Sequence, residues 1–371
     1  MGRYLTVLVI AAALGVAWYW PADEQPASPP VTKMAPPASP GAGHRQELLD
    51  EIEIPFIRRS QALDACRQPD EKSEAELMAE YEVQSTEMLR VLEPSTDAEH
   101  LLVAALISWR KSPEKALVLL GRAEAANPRN PLIASQLLEL CLEIPSCSRA
   151  RPEMERNLIV ADKANGIAWV TVARSRLSRN NEAGALAALR EAIAAPSMDD
   201  HFTDFVLLFE RALAASTDLP PFERSFAAYG HSAAVFTASF LITRDCNDRA
   251  VNSAEWRDAC LRLGEHFEHS GQTILTKAVG MGLQAKMYEF GGDTRAQQNA
   301  ERRYQQFRDD WTALASRTAR VEELRDATVQ RRYLDTFAAA GEIAAMEYLA
   351  GEIEARLPEL DGRRDSACAT P

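Results

Sequence analysis

Apolar residues recur every three or four positions along most of the chain from residue 44 onward, a spacing that places them on one face of an α-helix. In the run Leu186, Leu189 and Ile193, the intervening residues are alanine or charged. The same spacing joins Ile343, Met346, Ala350, Ile353 and Leu357 near the end of the chain. The pattern therefore predicts a series of amphipathic helices.

Signals for β-strands are scarce in comparison. The strongest covers residues 235–243 (VFTASFLIT), but Phe236 and Phe240 lie four positions apart, so a helix fits the same segment equally well. Parallel βαβ units would require repeated runs of β-branched residues, and the sequence lacks them. We therefore expect an all-α protein.

Residues that favour helix ends mark several boundaries. Ser112 and Asn130 each precede a proline, which places a capping side chain before a proline at the first helical position. Asn252 and Glu255 have the spacing of a capping box. In the C-terminal half, the pattern predicts helices at Thr203–Ala215, Val251–His269, Thr273–Phe290, Thr294–Ala313 and Glu342–Leu357.

A repeated pattern of small and large residues lies in the middle of the chain. One copy is formed by Ala116, Leu120, Ala123 and Pro128, and a second by Ala185, Leu189, Ala192 and Pro196. The two copies are 69 residues apart, about twice a 34-residue period. We expect a third unit between them, with helices near residues 130–141 and 152–165 and a turn enlarged by about four residues around 144–151.

This spacing resembles the tetratricopeptide repeat family over about residues 97–197, and Trp169 falls at the usual aromatic position of a first helix. The middle unit departs from the family pattern. The resemblance implies an antiparallel helix-pair array, an α-solenoid, over residues 44–217, followed by additional C-terminal helices over 218–371. A generic array of helix hairpins is the alternative.

The resemblance also implies a concave groove formed by the first helix of each unit, where such proteins bind a protein or peptide partner. The groove positions are Leu101, Ser108, Trp109, Ser135, Glu139, Glu143, Val170, Arg174 and Ser178. Trp109 is the strongest candidate because tryptophan is enriched at binding hot spots, although it could instead cap the core of its helix pair.

The first residues indicate export. Arg3 is followed by an uncharged apolar run of 17 residues at 4–20, which can cross a membrane with the basic end inside. Residues 1–20 are thus predicted to be an inner-membrane signal-anchor, with the body in the periplasm; a cleaved signal peptide, which would leave a soluble periplasmic protein, is the alternative. Seven of the 23 residues at 21–43 are proline, which predicts an extended linker that forms no core.

Cysteine usage agrees with an oxidising compartment. Six cysteines occur, and the spacing predicts disulfides Cys141–Cys147 and Cys246–Cys260. Cys66 and Cys368 remain, and a bond between them that joins the ends of the body is an open alternative. The sequence has no Cys-x-x-Cys pair, so it supports neither a redox motif nor a zinc knuckle.

Charge and local motifs narrow the function classes. The 371 residues carry a net charge of −13, which disfavours nucleic-acid binding because phosphate neutralisation requires surplus lysine and arginine. The segments Gly230–Ala234 and Gly280–Ala285 resemble a nucleophile elbow and a dinucleotide loop, but neither follows a predicted strand. For Gly280–Ala285 we expect close helix packing at Ala278 and Gly282 instead.

His266 and His269 could share a helix face beside glutamates, and Asp199, Asp200 and His201 precede a predicted helix; we interpret both groups as helix ends. We therefore expect no catalytic residue, metal or cofactor, and we expect a binding protein instead of an enzyme. The alternatives are a structural or assembly factor of the cell envelope and an envelope hydrolase, which would join His201, His231 or His266 to a carboxylate. The sequence leaves the oligomeric state open.

Overall fold

The computed structural model describes residues 74–233, 235, 238–324 and 326–368. Within them every regular element is a helix, and the only β-type pairings are two isolated bridges, so the all-α prediction is confirmed. In this part of the chain, no helix combines the length and apolar character needed to cross a membrane. The predicted membrane segment at 1–20, the linker at 21–43 and Cys66 lie outside the described residues.

The N-terminal half of the described chain contains eight short helical elements. They are α1 Glu74–Leu92, α2 Ala98–Ser108, α3 Pro113–Ala126, α4 Pro131–Glu143, a 3-10 helix at Pro145–Arg149, α5 Arg151–Asp162, α6 Gly166–Leu177 and α7 Glu182–Ala194. Asn130 caps α4 as predicted, because its Oδ1 accepts hydrogen bonds from the backbone N–H groups of Leu132 and Ile133. Ser112 precedes α3 but makes no side-chain capping bond.

The C-terminal half contains α8 Phe202–Ser216, α9 Pro221–Ala233, α10 Ala238–Ala250, α11 Ala254–Ser270, α12 Ile274–Gly291, α13 Thr294–Thr318, α14 Val321–Leu324, α15 Ala327–Ala340 and α16 Glu342–Cys368. The expected helices are present with shifted ends. The residue that caps α11 is Ser253, whose Oγ accepts from the backbone N–H of Trp256, so the predicted capping box at Asn252 is wrong by one position.

Consecutive helices pack in contact through the positions that define the repeat. The helix pairs α2 and α3, α4 and α5, and α6 and α7 are each in contact, and each pair also contacts the next. The small and large residues of the pattern are fully buried, namely Ala116, Leu120, Ala123, Ala185, Leu189 and Ala192. The small residues let neighbouring helices approach closely, and the leucines fill the space between them.

Later helices return onto these pairs and complete two hydrophobic clusters. Helix α8 contacts α1 and α2, and the first cluster includes Leu101, Phe209 and Phe337. Helix α10 contacts α6, helix α11 contacts α7, and the second cluster includes Val170 and Phe267. Hydrophobic packing therefore crosses residue 218, and residues Glu74–Leu357 form one compact unit.

Two glycines bring α11 and α12 together. A Cβ at Gly280 would lie 2.5 Å from the carbonyl oxygen of Gly264, and a Cβ at Gly264 would lie 2.8 Å from the carbonyl oxygen of Gly280. Gly282, where we expected the close packing, is exposed, and a Cβ at this position would meet no heavy atom within 4 Å. Close helix packing is confirmed for this segment, but the contact is made at Gly280, between the predicted positions Ala278 and Gly282.

Both predicted cysteine pairs lie at disulfide-bonding distance. The Cα atoms of Cys141 and Cys147 are 5.2 Å apart, and those of Cys246 and Cys260 are 5.9 Å apart. The first pair closes the turn after α4, and the second joins α10 to α11. All four residues are buried, so bonded sulfurs are protected from solvent thiols.

We expect non-reducing peptide mapping of the full chain to recover Cys141–Cys147 and Cys246–Cys260 as the linked pairs. Each bond should stabilise the fold by about 2–4 kcal/mol, because it restricts the unfolded chain. A Cys260→Ser variant should therefore unfold at lower urea concentration, whereas Ser270→Ala on the same helix should change little. Free thiols at all four positions would contradict the assignment.

Candidate functional site

The predicted groove residues differ in accessibility. Leu101, Ser108, Glu139 and Val170 are buried, Trp109, Ser135 and Arg174 are partly buried, and Glu143 and Ser178 are exposed. Later helices pack against two of the three first helices, α8 against α2 and α10 against α6, while buried Glu139 on α4 is paired with Arg174 of α6. Much of the surface that the repeat pattern assigns to a groove is therefore occupied within the protein.

The structure joins four of these residues in pairs. Trp109 Nε1 donates a 2.7 Å hydrogen bond to Oε2 of Glu143, which is 34 positions later. Arg174 Nη1 donates to Oε2 of Glu139 at 2.5 Å across 35 positions. The second pair is an ion pair with side chains only 12% and 6% exposed, so it is shielded from solvent.

The same spacing recurs at other contacts between helices. Asn157 Nδ2 donates to Oε1 of Glu124 across 33 positions, and Asn165 Nδ2 donates to the carbonyl oxygen of Asp199 across 34 positions. These four contacts join residues 33 to 35 positions apart, close to the 34-residue spacing found in the sequence. Bonds of the same span also join Arg257 to Phe290 and Arg303 to Glu268 in the later helices.

The enlarged turn of the middle unit has a structural role. It delivers Arg151, which is buried, beneath the disulfide turn, where Nε donates 2.9 Å to the carbonyl oxygen of Cys141. Nη1 of Arg151 also donates to Ser178 Oγ at 2.9 Å. Close by, buried Glu155 accepts hydrogen bonds from Ser175 and Arg176. These bonds stabilise a turn that the repeat pattern does not require.

A second polar cluster surrounds His201, which precedes α8 in the left-handed backbone region with φ 58°. Its Nε2 lies 2.9 Å from Asp162 Oδ2, and its Nδ1 lies 2.9 Å from Asp204 Oδ2 and 3.8 Å from Asp199 Oδ2. Burial alone would lower the pKa of His201, but the hydrogen bonds and charges of these carboxylates raise it to about 10. His201 is therefore a cation at neutral pH.

The geometry of this cluster does not by itself indicate a metal site. Ligand atoms of Asp199, His201 and Asp204 lie within 4.8 Å of one another, but a protonated imidazole has no lone pair to offer a metal ion. The other histidines are engaged separately. His266 Nε2 pairs with the carbonyl oxygen of Ala195, and the His231 ring stacks on Phe209 at a centroid distance of 5.1 Å.

Two carboxyl groups that the sequence did not single out as a pair meet at the start of α12. Asp200 Oδ2 accepts from the hydroxyl groups of Thr273 and Thr276, at 2.6 and 2.9 Å. Glu342 Oε2 accepts from the backbone N–H of Ile274 at 2.8 Å. In the sequence Asp200 indicates only a helix start, and no local signal relates it to Glu342, which lies 142 positions away.

Comparisons with protein-family models, with curated proteins and with solved structures found no match to this chain.

We expect Arg174→Leu to lower the free energy of unfolding by about 3 kcal/mol, because Glu139 would remain buried without its cation. The double variant Glu139→Leu/Arg174→Leu should recover most of this loss, since no unpaired charge remains. Arg190→Leu is the matched control: its ion pair with Glu255 is 60% exposed on both sides, and its loss should cost under about 1 kcal/mol. Urea denaturation measures the free energy of unfolding of all three variants. An Arg174→Leu loss no larger than that of the control would contradict the buried pair.

The charge on His201 should stabilise the protein fully below pH 6.5 and lose its effect as pH rises through about 10, because the pKa of this histidine is higher in the folded chain than in the unfolded chain. We expect His201→Asn, which tolerates the left-handed backbone, to reduce stability at pH 7 by about 3 kcal/mol and to flatten the decline between pH 7 and 10. His269→Asn, at an exposed histidine, should follow the wild type. Parallel pH profiles for wild type and His201→Asn would refute this account.

Proposed function

We propose that the chain is a membrane-tethered, periplasmic helical-repeat protein that acts as a scaffold for a protein or peptide partner. The array in this proposal consists of antiparallel helix pairs similar to tetratricopeptide repeats. The observation that supports it best is the set of hydrogen bonds between residues 33 to 35 positions apart, because a stack of equivalent units brings equivalent positions side by side.

The accessible part of the predicted groove is a row at the C-terminal ends of the first helices. Trp109, Glu143 and Ser178 occupy the same position in successive units, at intervals of 34 and 35 residues. Trp109 is partly buried and the other two are exposed. We name these three residues the end row. A partner would bind here, because four of the other groove positions are buried and Arg174 is paired with one of them, Glu139.

The chemistry of the end row suits a binding hot spot. The Trp109 ring is held in place, because its Nε1 donates to Glu143 and its side chain packs against the first hydrophobic cluster. A pre-positioned aromatic ring loses little conformational freedom when it binds. Glu143 retains an exposed carboxylate that can accept further hydrogen bonds. The row thus combines an apolar anchor with a directional polar group.

The export signal and linker predicted from the sequence complete the proposal. A segment that remains in the membrane and a proline-rich spacer would hold the helical body away from the bilayer, where a periplasmic partner can reach it. Capture of a second protein by the end row would then keep that protein near the membrane surface.

The test is cross-linking in the protein's own cells, followed by identification of the captured partner. Trp109→Ala and Glu143→Lys should each lower capture by about tenfold or more, as the loss of ~2 kcal/mol at a hot spot implies. Glu114→Lys is the matched control, because it places the same charge change at a site of α3 outside the end row. Thermal unfolding of each variant separates lost binding from lost folding.

Equal capture by the wild type and both end-row variants, with folding intact, would reject the end row as the binding surface. Recovery of copies of this chain alone would favour the structural or assembly alternative instead.

A further inference from the structure

The start of α12 is held by two carboxyl groups from distant parts of the chain. Asp200, which precedes α8, is 8% exposed, and its Oδ1 also accepts from the backbone N–H of Phe202 at 3.1 Å. Glu342, the first residue of α16, accepts from Tyr229 OH at 3.0 Å through Oε1. At the start of α12 the two carboxyl groups thus accept from the hydroxyl groups of Thr273 and Thr276 and from the backbone N–H of Ile274, while the backbone N–H of Thr276 donates to Thr273 Oγ1.

We name this arrangement the carboxyl junction, defined by Asp200, Glu342 and the first turn of α12 at 273–276. Three elements that are far apart in sequence meet here. The backbone adds to the contact, since the N–H of Glu342 donates to the carbonyl oxygen of Gln272 at 3.1 Å. Gly341, with φ 84°, allows the sharp change of direction between α15 and α16 that brings Glu342 to this position.

The carboxyl junction contains negative charge without a cationic partner. Among the described residues, no lysine or arginine forms an ion pair with Asp200 or Glu342. The nearest cation along α12, Lys277, donates to the carbonyl oxygen of Glu268. The cation adjacent in sequence, His201, is already paired with Asp162 and Asp204.

The other titratable groups at the junction are acidic or hydroxyl groups. Asp199 adds negative charge next to Asp200, and Tyr229 and Tyr333 present hydroxyl groups from α9 and α15. Burial raises the pKa values of both tyrosines, so they remain neutral across the physiological range. The positive end of the α12 dipole is the remaining favourable partner for charge, and it cannot fully offset two buried carboxylates.

Burial is the main reason that both carboxyl groups retain protons unusually well. It raises the pKa of Asp200 to about 6, despite hydrogen bonds from Thr273, Thr276 and Phe202, and the charge on Asp199 acts in the same direction. Burial and the charge on Asp200 raise the pKa of Glu342 to about 7. Although Glu342 as a whole is only partly buried, its carboxyl group is enclosed by Tyr229, Tyr333 and Ile274.

We infer that the carboxyl junction is a proton-controlled joint, closed when Glu342 is protonated and loosened when both carboxyl groups are ionised. A hydroxyl group both donates and accepts, so the O–H of protonated Glu342 can donate to Tyr229, which then turns its own hydrogen away. Ionisation restores the carboxylate but places two like charges at one helix end. Repulsion then weakens the hold of α16 on α12.

The stability of this joint depends on pH in the opposite direction from that of an ordinary ion-paired carboxylate, whose pKa is lower in the folded chain. The folded chain binds more protons than the unfolded chain between about pH 4 and 7, so the junction gains stability as pH falls and loses it as pH rises through about 7. His231 acts oppositely, because burial lowers its pKa to about 4 and its protonation disfavours the fold in acid. A measurement local to α12 is therefore more informative than global stability.

The test is amide hydrogen exchange in the first two turns of α12 and at the start of α16, with the full chain at pH 5.5 and pH 8. After correction for intrinsic rates, we expect the wild type to exchange at least about tenfold faster at pH 8, because each pKa unit corresponds to a factor of ten and the pKa of Glu342 is raised from 4.5 to about 7. Glu342→Gln, which keeps the size and acceptor of the side chain but cannot ionise, should exchange slowly at both values. Glu347→Gln, on the same helix and outside the junction, is the matched control and should behave as wild type.

A second measurement tests the inference even if the Glu342→Gln variant fails to fold. Infrared difference spectra of the wild type should show a protonated carboxyl band at pH 5.5 that disappears by pH 8.5. In the Asp200→Asn variant, the midpoint of this change should move to lower pH, because the negative charge beside Glu342 is removed. Exchange that does not depend on pH in the wild type would overturn the joint. So would a Glu342→Gln variant that retains the wild-type pH dependence.

Discussion

Hydrogen bonds from the short segment at 195–201 hold the two halves of the described fold together. Backbone groups of this segment pair with Asn165 and Gly166 on one side and with Gly271 on the other. Its side chains continue the same connection, since His201 reaches Asp162 and Asp200 reaches the first turn of α12. Buried polar groups need hydrogen-bond partners. A loop whose polar groups are hydrogen-bonded to several helices therefore fixes the positions of those helices.

This connection explains why the array differs from an open solenoid. In an ideal repeat stack each unit contacts only its neighbours, and the inner face remains free. Here the chain turns back after α7, so α8 packs against α1 and α2 while α10 packs against α6. Among the nine predicted groove positions, the exposed residues Glu143 and Ser178 both lie at helix ends.

Periodicity predicted the helices, and the spacing of the cysteines predicted both cysteine pairs, because these depend on contacts within a few tens of residues. Asn130 and the Ala116 to Ala123 pattern are examples in which local chemistry and the fold agree. The pairing of Arg174 with Glu139 and of Asp200 with Glu342 could not be predicted in this way. An arginine looks the same in sequence whether it binds a partner or an internal carboxylate, and Arg174 pairs with Glu139 of an earlier helix only because α4 and α6 pack together.

The position of Glu342 near the end of the chain has a consequence for the order in which the protein can be built. Synthesis proceeds from the N-terminus, so α12 is complete while the backbone N–H of Ile274 at its start still lacks the acceptor that α16 supplies. Helices α2 to α7 rely on near neighbours and can assemble early. The last helix to emerge therefore closes the structure, and a chain interrupted before residue 342 would expose an unfinished helix end to cellular proteases.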